Sequence, residues 1–225
     1  MTISKLYLAI NEDSELYSAQ SDFDFEVSFI TEYISKIIKK NKFKYEDAIK
    51  LIIYIDSGNK GIEYKPMFNV LVYNTTFSYL DVKQLDGHDR TEKILDLIKF
   101  ASSKYETYIP GIKKAILEAI ELFKNNSYKN IWLFKKKQIS GVGQAELICE
   151  LDRQFFTLTL LIINKENVIY RKEILRTKPS SIIYNHRFKD ILIKGSNIVV
   201  VDKFDEPLYQ ISISDLSVID HARKV

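Results

Sequence analysis

The chain has 225 residues, a formal net charge of +3 at neutral pH, 46% hydrophobic residues and 28% charged residues. These proportions are those of ordinary globular proteins, and they exclude disordered, collagen-like and fibrous classes. The length is sufficient for one large domain or two small ones, each with its own hydrophobic core.

The spacing of apolar residues changes near residue 126, from helical before it to alternating after it. The change predicts an α+β fold with a helix-rich α+β domain over residues 1–126 and an antiparallel β domain over residues 127–225. Acidic residues outnumber basic ones in the first of these domains, and basic residues outnumber acidic ones in the second.

The first domain begins with two predicted helices. Apolar residues at helical spacing predict one helix over residues 24–40 and another over residues 45–55. Further along, residues 67–73 and 77–82 are rich in β-branched and aromatic side chains and flank a polar turn. This pattern predicts a β-hairpin.

Two more helices complete the first domain. Asp89 and Glu92 form a capping signature, in which an acidic N-cap is followed three residues later by Glu, and they predict a helix that begins at Asp89. Pro110 followed by an apolar stripe predicts a last helix that ends at Asn125 and Asn126.

The second domain consists of short alternating segments separated by polar turns. Because connections this short join antiparallel neighbours, the pattern predicts a β-meander or sandwich. A short terminal helix is predicted to begin at Ser214 and to continue through Val218, Ile219 and Ala222. The predicted strands are residues 130–135, 145–150, 155–163, 168–174, 181–184, 191–194, 198–201 and 208–213.

The sequence also predicts the compartment. Cys149 is the one cysteine, it lies in an apolar run, and it is expected to be a buried, reduced thiol. The N-terminal residues lack the pattern of a signal peptide, and no apolar run approaches the roughly 20 residues that span a bilayer. We therefore expect a cytoplasmic protein that does not cross membranes.

Metal and cofactor sites are not predicted. His88, His186, His221 and Cys149 stand at no spacing typical of metal ligands. The glycines of the segment Ser140 to Gly143 lack the remaining residues of a phosphate-binding loop. The expected cofactor content is therefore none, and no catalytic residue is assigned.

One acidic pattern leaves a metal-dependent nuclease open. Asp56 followed by Glu63 and Lys65 resembles the arrangement in which carboxylates hold magnesium and a lysine stabilises phosphate charge. That arrangement needs Asp56 at the end of a strand, whereas the helix predicted over residues 45–55 places it at the end of a helix.

Nucleic-acid binding is a further alternative. Lys135, Lys136 and Lys137 follow Trp132 and Phe134, and clustered cations beside exposed aromatic rings favour phosphates and bases. The same strand is apolar on both faces, however, which is typical of a buried strand. Nucleic acid is therefore not the expected partner.

The acidic N-terminal segment is the predicted site for a protein partner. Its carboxylates provide a negative field, which speeds encounter with a basic partner, and its aromatic side chains provide anchors for affinity. The alternative is a solvated loop and helix start, where the helix dipole favours acidic residues. The predicted partner-binding residues are Glu12, Asp13, Glu15, Tyr17, Asp22, Phe23, Asp24 and Glu26.

In general character, with the acidic aromatic segment from Glu12 to Tyr33, the chain resembles bacterial immunity proteins of polymorphic toxin systems, including those of contact-dependent growth inhibition. The resemblance implies a non-enzymatic inhibitor that occupies the active site or substrate surface of a cognate toxin. It further implies a basic partner, a nuclease, bound by the acidic N-terminal half. Such proteins share no common fold, so no residue is assigned by matching.

Overall fold

The computed structural model describes residues 1–58 and 60–216, and the chain divides into two compact units, Met1–Tyr128 and Lys129–Val225. Helices and sheets are both present, and the predicted α+β class is confirmed. Residues 213–216 are helical, which confirms the start of the predicted terminal helix at Ser214, and its predicted continuation through Val218, Ile219 and Ala222 lies outside the described residues.

The N-terminal unit contains a four-stranded sheet in the order β1-β2-β4-β3. The first three of these strands are parallel, and the edge strand β3 is antiparallel to β4. The strands are β1 (Lys5–Ile10), β2 (Lys50–Ile55), β3 (Gly61–Lys65) and β4 (Val70–Asn74).

Helices cover one face of this sheet. Burial alternates along β1 and β2, and the buried side chains of that face include Leu6, Leu8, Leu51 and Ile53. The first helix packs on β1, and the fourth packs on the first and the third. The helices are α1 (Gln20–Asn41), α2 (Tyr79–Lys83), α3 (Gly87–Tyr105) and α4 (Ile112–Asn125).

The predicted helices over residues 24–40 and after Pro110 are confirmed as α1 and α4, but the helix over residues 45–55 is wrong. Residues 50–55 form β2, paired in parallel with β1 on one side and β4 on the other. Leu51 and Ile53 face the helices, while Ile52 and Tyr54 lie on the opposite face. Because apolar side chains occur on both faces, the run fits the helical period as well as the strand period, and its pairing with two neighbouring strands makes it a strand.

The predicted hairpin and the predicted cap also differ from the structure. Residues 77–82 lead into the helix α2, and the hairpin is formed by β3 and β4, which a turn over Pro66–Phe68 connects. Asp86, rather than Asp89, caps α3, since its Oδ1 accepts hydrogen bonds from the amides of His88 and Asp89 at 3.0 Å. The helix therefore begins two residues before Asp89.

The C-terminal unit contains two antiparallel sheets, in the orders β5-β6-β7-β8 and β11-β10-β9, as a meander or sandwich predicts. Cys149 is buried in β6, as expected. The strands are β5 (Asn130–Ile139), β6 (Gly143–Leu151), β7 (Phe156–Asn164), β8 (Asn167–Thr177), β9 (Asp190–Lys194), β10 (Asn197–Val201) and β11 (Pro207–Ser212).

Two predictions for this unit are wrong. Residues 181–184 form the short helix α5 (Ser181–Tyr184) instead of a strand, and this turn stacks Tyr184 on Phe156 with ring centroids 3.9 Å apart. The strand β5 is an edge strand and not a buried one, with Ile131 and Leu133 exposed. A register shift follows Leu133, so the alternation of the sequence is broken there.

Candidate functional site

The predicted acidic segment comprises the connection between β1 and α1 and the first turns of α1. Asn11 fixes its start, because its side chain accepts from the amide of Asp13 at 2.9 Å and donates to Ser57 Oγ at 3.2 Å. The segment thus lies at the carboxyl end of the parallel strand β1, beside the connection that follows β2. In open sheets of parallel strands, ligands bind at this edge.

Most of the predicted carboxylates are available to a partner. Glu12, Asp13, Glu15, Asp22 and Asp24 are exposed, and none of them forms an ion pair with another described residue. Tyr17 is 50% exposed among them and supplies an aromatic ring. We name the exposed part of this segment, Glu12 to Asp24 without Phe23, the acidic segment.

Phe23 and Glu26 do not belong to this surface, which corrects the prediction for both. Phe23 is 1% exposed and packs edge-on against Tyr79, with ring centroids 5.1 Å apart. Glu26 Oε1 accepts from Arg90 Nη1 at 2.7 Å, and Arg90 Nη2 donates to the carbonyls of Lys83 and Leu85. The first residue stabilises the core, and the second joins α1 to α3.

The helix dipole explains only part of the acidic segment. Asp22 lies in the first turn of α1, where negative charge is favoured. Glu12, Asp13 and Glu15 precede the 3₁₀ turn Tyr17–Ala19, and the dipole effect falls off within the first helical turn. The helix start therefore does not account for these three carboxylates.

Sequence reasoning missed a groove that adjoins the acidic segment. Its volume is about 560 Å³, and Glu12 and Asp24 line it together with Tyr7 and Tyr54, on the sheet face opposite the helices. Burial raises the pKa of Tyr54, and the nearby Glu12 carboxylate and Tyr17 raise it further. The sequence of β2 gives no periodic signal for this face, because residues 50–55 carry apolar side chains on both faces of the strand.

The carboxylate of Asp24 is linked to the end of β1 through Gln20. Loss of solvent raises the pKa of Asp24, while a hydrogen bond from Gln20 Nε2 at 2.5 Å acts in the opposite direction. Gln20 Oε1 in turn accepts from the amide of Ile10 at 2.6 Å. The side chain of Asp24 is therefore held at the rim of the groove by a link to the end of β1.

The nuclease pattern is dispersed in the structure. Asp56 directly follows β2, so it does lie at a strand end, which corrects the expectation of a helix end. Its Oδ2, however, accepts from the amide of Tyr79 at 3.0 Å, and Glu63 and Lys65 lie on β3, which pairs with β4 and not with β2. Over residues 1–58 and 60–216, no three His, Cys, Asp or Glu side chains come together as a metal site.

The aromatic and basic residues of β5 also have partners within their own unit. Phe134 packs edge-on against Phe188 at 4.7 Å between ring centroids, and Lys135 pairs with Asp190 at 3.3 Å. Lys136 and Lys137 are exposed. A stacking platform for bases needs aromatic faces that are open beside the cations, and Phe134 is engaged elsewhere.

In comparisons with known proteins, no protein-family model, curated protein or solved structure matches this chain. In the part of the chain that the structure describes, no helix is long and apolar enough to cross a membrane. The acidic segment and the adjoining groove are the candidate site, because aromatic side chains lie there beside exposed carboxylates that form no ion pair with another described residue.

Proposed function

We propose that the chain is a non-enzymatic, protein-binding inhibitor: an immunity protein that neutralises a cognate bacterial toxin in the cytoplasm. The toxin is a nuclease whose basic substrate surface binds the acidic segment. The observation that carries the proposal is the group of exposed carboxylates Glu12, Asp13 and Glu15, which neither an ion pair among the described residues nor the helix dipole explains.

Electrostatics supports this choice of partner. Several like charges on one connection repel one another, and a partner that supplies cations removes that repulsion while it forms charge-assisted hydrogen bonds. A nuclease must present such cations to bind phosphates. Carboxylates that occupy this surface therefore compete directly with the substrate, and inhibition needs no chemical step.

The aromatic side chains supply the other part of affinity. Charge complementarity mainly accelerates encounter, whereas residues that bury apolar area at the centre of an interface slow dissociation. Tyr17 is half-exposed within the acidic segment, and Tyr54 lies in the adjoining groove near Glu12. Both rings can therefore be buried by a partner that first meets the carboxylates.

The test is co-expression with the product of the adjacent upstream gene in a heterologous host. We expect that the neighbour arrests growth alone, that this chain restores growth, and that the two proteins co-purify as a stable complex. Purified alone, the chain should leave DNA and RNA intact in the presence of magnesium. A harmless neighbour, or growth arrest that this chain does not relieve, would contradict the proposal.

A further inference from the structure

The groove beside the acidic segment has a regular floor. Residues in register across the sheet lie on the same face, so the face opposite the helices consists of rows that run from strand to strand. Tyr7 and Ile52 are partners in one row, and Ala9 and Tyr54 in the next. Their side chains are half-exposed, and this floor is apolar and aromatic.

Lysines lie at the edge of the sheet where β1 and β2 begin and β3 ends. Lys5, Lys50 and Lys65 belong to a single row, because Lys5 pairs with Lys50, Lys50 with Val70, and Val70 with Lys65. Lys5 is engaged by Glu32 at 3.2 Å, and Lys65 forms an exposed ion pair with Glu63 at 3.9 Å. Lys50 and Lys65 line the groove, and their ammonium groups lie 5.8 Å from the ring centroid of Tyr7 and 6.0 Å from that of Tyr54.

Carboxylates lie at the opposite end. Glu12 follows the carboxyl end of β1, and Asp24 is held beside that end through Gln20 and Ile10. No ion pair among the described residues joins either carboxylate to Lys50 or Lys65. The row of Lys50 and the row of Tyr54 are four residues apart along β2, which corresponds to about 13 Å. The groove is therefore polarised along the strands, with carboxylates where β1 ends and lysines where β1 begins, and the Lys65 ammonium extends from the lysine end toward Tyr54.

We infer that this groove is where an amphipathic segment of the proposed toxin docks, with a cation against Glu12 and Asp24, apolar side chains on Tyr7 and Tyr54, and an anion against Lys50 and Lys65. The inference rests on the proposed function and adds to it a second contact of opposite charge. Charge complementarity identifies this occupant, because a uniformly basic surface would be repelled by the lysine end and an acidic one by the carboxylate end.

Two alternatives to this inference predict other results. If the partner is held only by its basic surface, removal of lysines from the groove makes the site more negative and strengthens binding. If the groove stays empty in the complex, charge changes in it act only through the total charge of the protein. Both differ from a polarised groove, in which reversal at either end weakens binding.

The experiment measures the affinity of the purified neighbouring-gene product for the full chain and for variants. Lys50→Glu with Lys65→Glu is expected to raise Kd about tenfold or more at low salt. The control is Lys113→Glu with Lys114→Glu on the exposed side of α4, which changes the net charge equally and should leave Kd nearly unchanged. Lys50→Gln with Lys65→Gln serves as the second variant if the double reversal fails to fold, with a smaller loss expected.

The outcomes separate the inference from the proposed function. Weaker binding by the groove variant, with the control near wild type, supports the polarised groove. If the groove variant binds as tightly as the wild-type chain or more tightly, the inference is overturned. The proposed function still stands in that case, provided that the wild-type chain binds. Absence of binding by the wild-type chain overturns both.

Discussion

The guanidinium of Arg90 donates to Glu26 at 2.7 Å and thereby joins the start of α3 to α1, across 64 residues of sequence. Their side chains are only 16% and 21% exposed, so the charge that remains after removal of one partner would be poorly solvated. Arg90 also satisfies the carbonyls of Lys83 and Leu85 between α2 and α3. The contact therefore holds in place the helix that continues from the acidic segment.

Replacement of Arg90 by Met should lower the free energy of unfolding by about 2–4 kcal/mol, because Glu26 is left partly buried without its partner. Urea unfolding measures the change. The control is Lys114→Met, which removes an exposed pair with Glu118 at 3.9 Å and should cost less than about 0.5 kcal/mol. Equal losses in the two variants would contradict the structural role of Arg90.

The structure places the N-cap of α3 at Asp86, whereas the sequence pattern places it at Asp89, and substitution of each aspartate tests which is the cap. Asp86→Ala should destabilise the protein by about 1 kcal/mol, since the amides of His88 and Asp89 lose their acceptor. Asp89→Ala, at the residue that the sequence predicts as the cap, should cost a few tenths of that. Thermal unfolding measures the stability of both variants. A larger loss of stability for Asp89→Ala would place the cap at Asp89, as the sequence pattern predicts.

Glu92 links α3 to the end of the N-terminal unit through Lys124 and Tyr128. Desolvation raises the pKa of Glu92, but the hydrogen bonds from Lys124 and Tyr128 outweigh it, and the net direction is below the ordinary value of 4.5. A depressed pKa in the folded state contributes stability above pH 4.5, and that stability is lost as the pH falls through the folded pKa.

The stability difference between wild type and Glu92→Gln should therefore be largest near neutral pH and should shrink as the pH falls below 4.5. Urea unfolding from pH 3 to pH 7 measures it. Glu118→Gln, which removes one exposed carboxylate of α4, is the control. A difference for Glu92→Gln that is constant with pH would show that its charge does not stabilise the fold.

Gly143 begins β6 at a position that only glycine tolerates. Its φ is +133°, and a Cβ there would lie 2.1 Å from the carbonyl oxygen of Ile163, a backbone atom that cannot move aside without disturbing β7. Gly143→Ala should therefore destabilise the protein by more than about 2 kcal/mol. Gly195→Ala, at φ +60° with open space around it, should cost about 1 kcal/mol and serves as the control.

Much of the fold could be predicted where one period dominates. The stripe Val27, Ile30, Ile34 and Ile38 specifies α1, and all four residues are buried. Seven of the eight strands predicted after residue 127 are present, because polar turns bound them, and residues 181–184 are the exception. The helix predicted over residues 45–55 is wrong, because apolar side chains on both faces of a strand leave no period to detect. The groove could not be predicted either, because its floor includes residues of β2.

The candidate site was predicted in part. The exposed carboxylates of the acidic segment follow from their charge, since unpaired carboxylates avoid burial. The acidic pattern predicts Phe23 at the surface, but Phe23 stands four residues before Val27 and seven before Ile30, so the helical period already places it on the buried face of α1. The engagement of Glu26 by Arg90 depends on a contact between distant segments, and no local pattern carries that information.

The most direct measurement is the association rate of the neighbouring-gene product with a variant that carries Lys in place of Glu12, Asp13, Glu15 and Asp22. The control carries Lys in place of the exposed Glu118, Glu121, Glu166 and Glu206, so both variants have the same net charge. A negative surface at the acidic segment predicts association roughly 10- to 100-fold slower for the first variant, with a weaker salt dependence, and a rate near wild type for the control. Equal rates for the two variants would contradict the acidic segment as the binding site for the toxin.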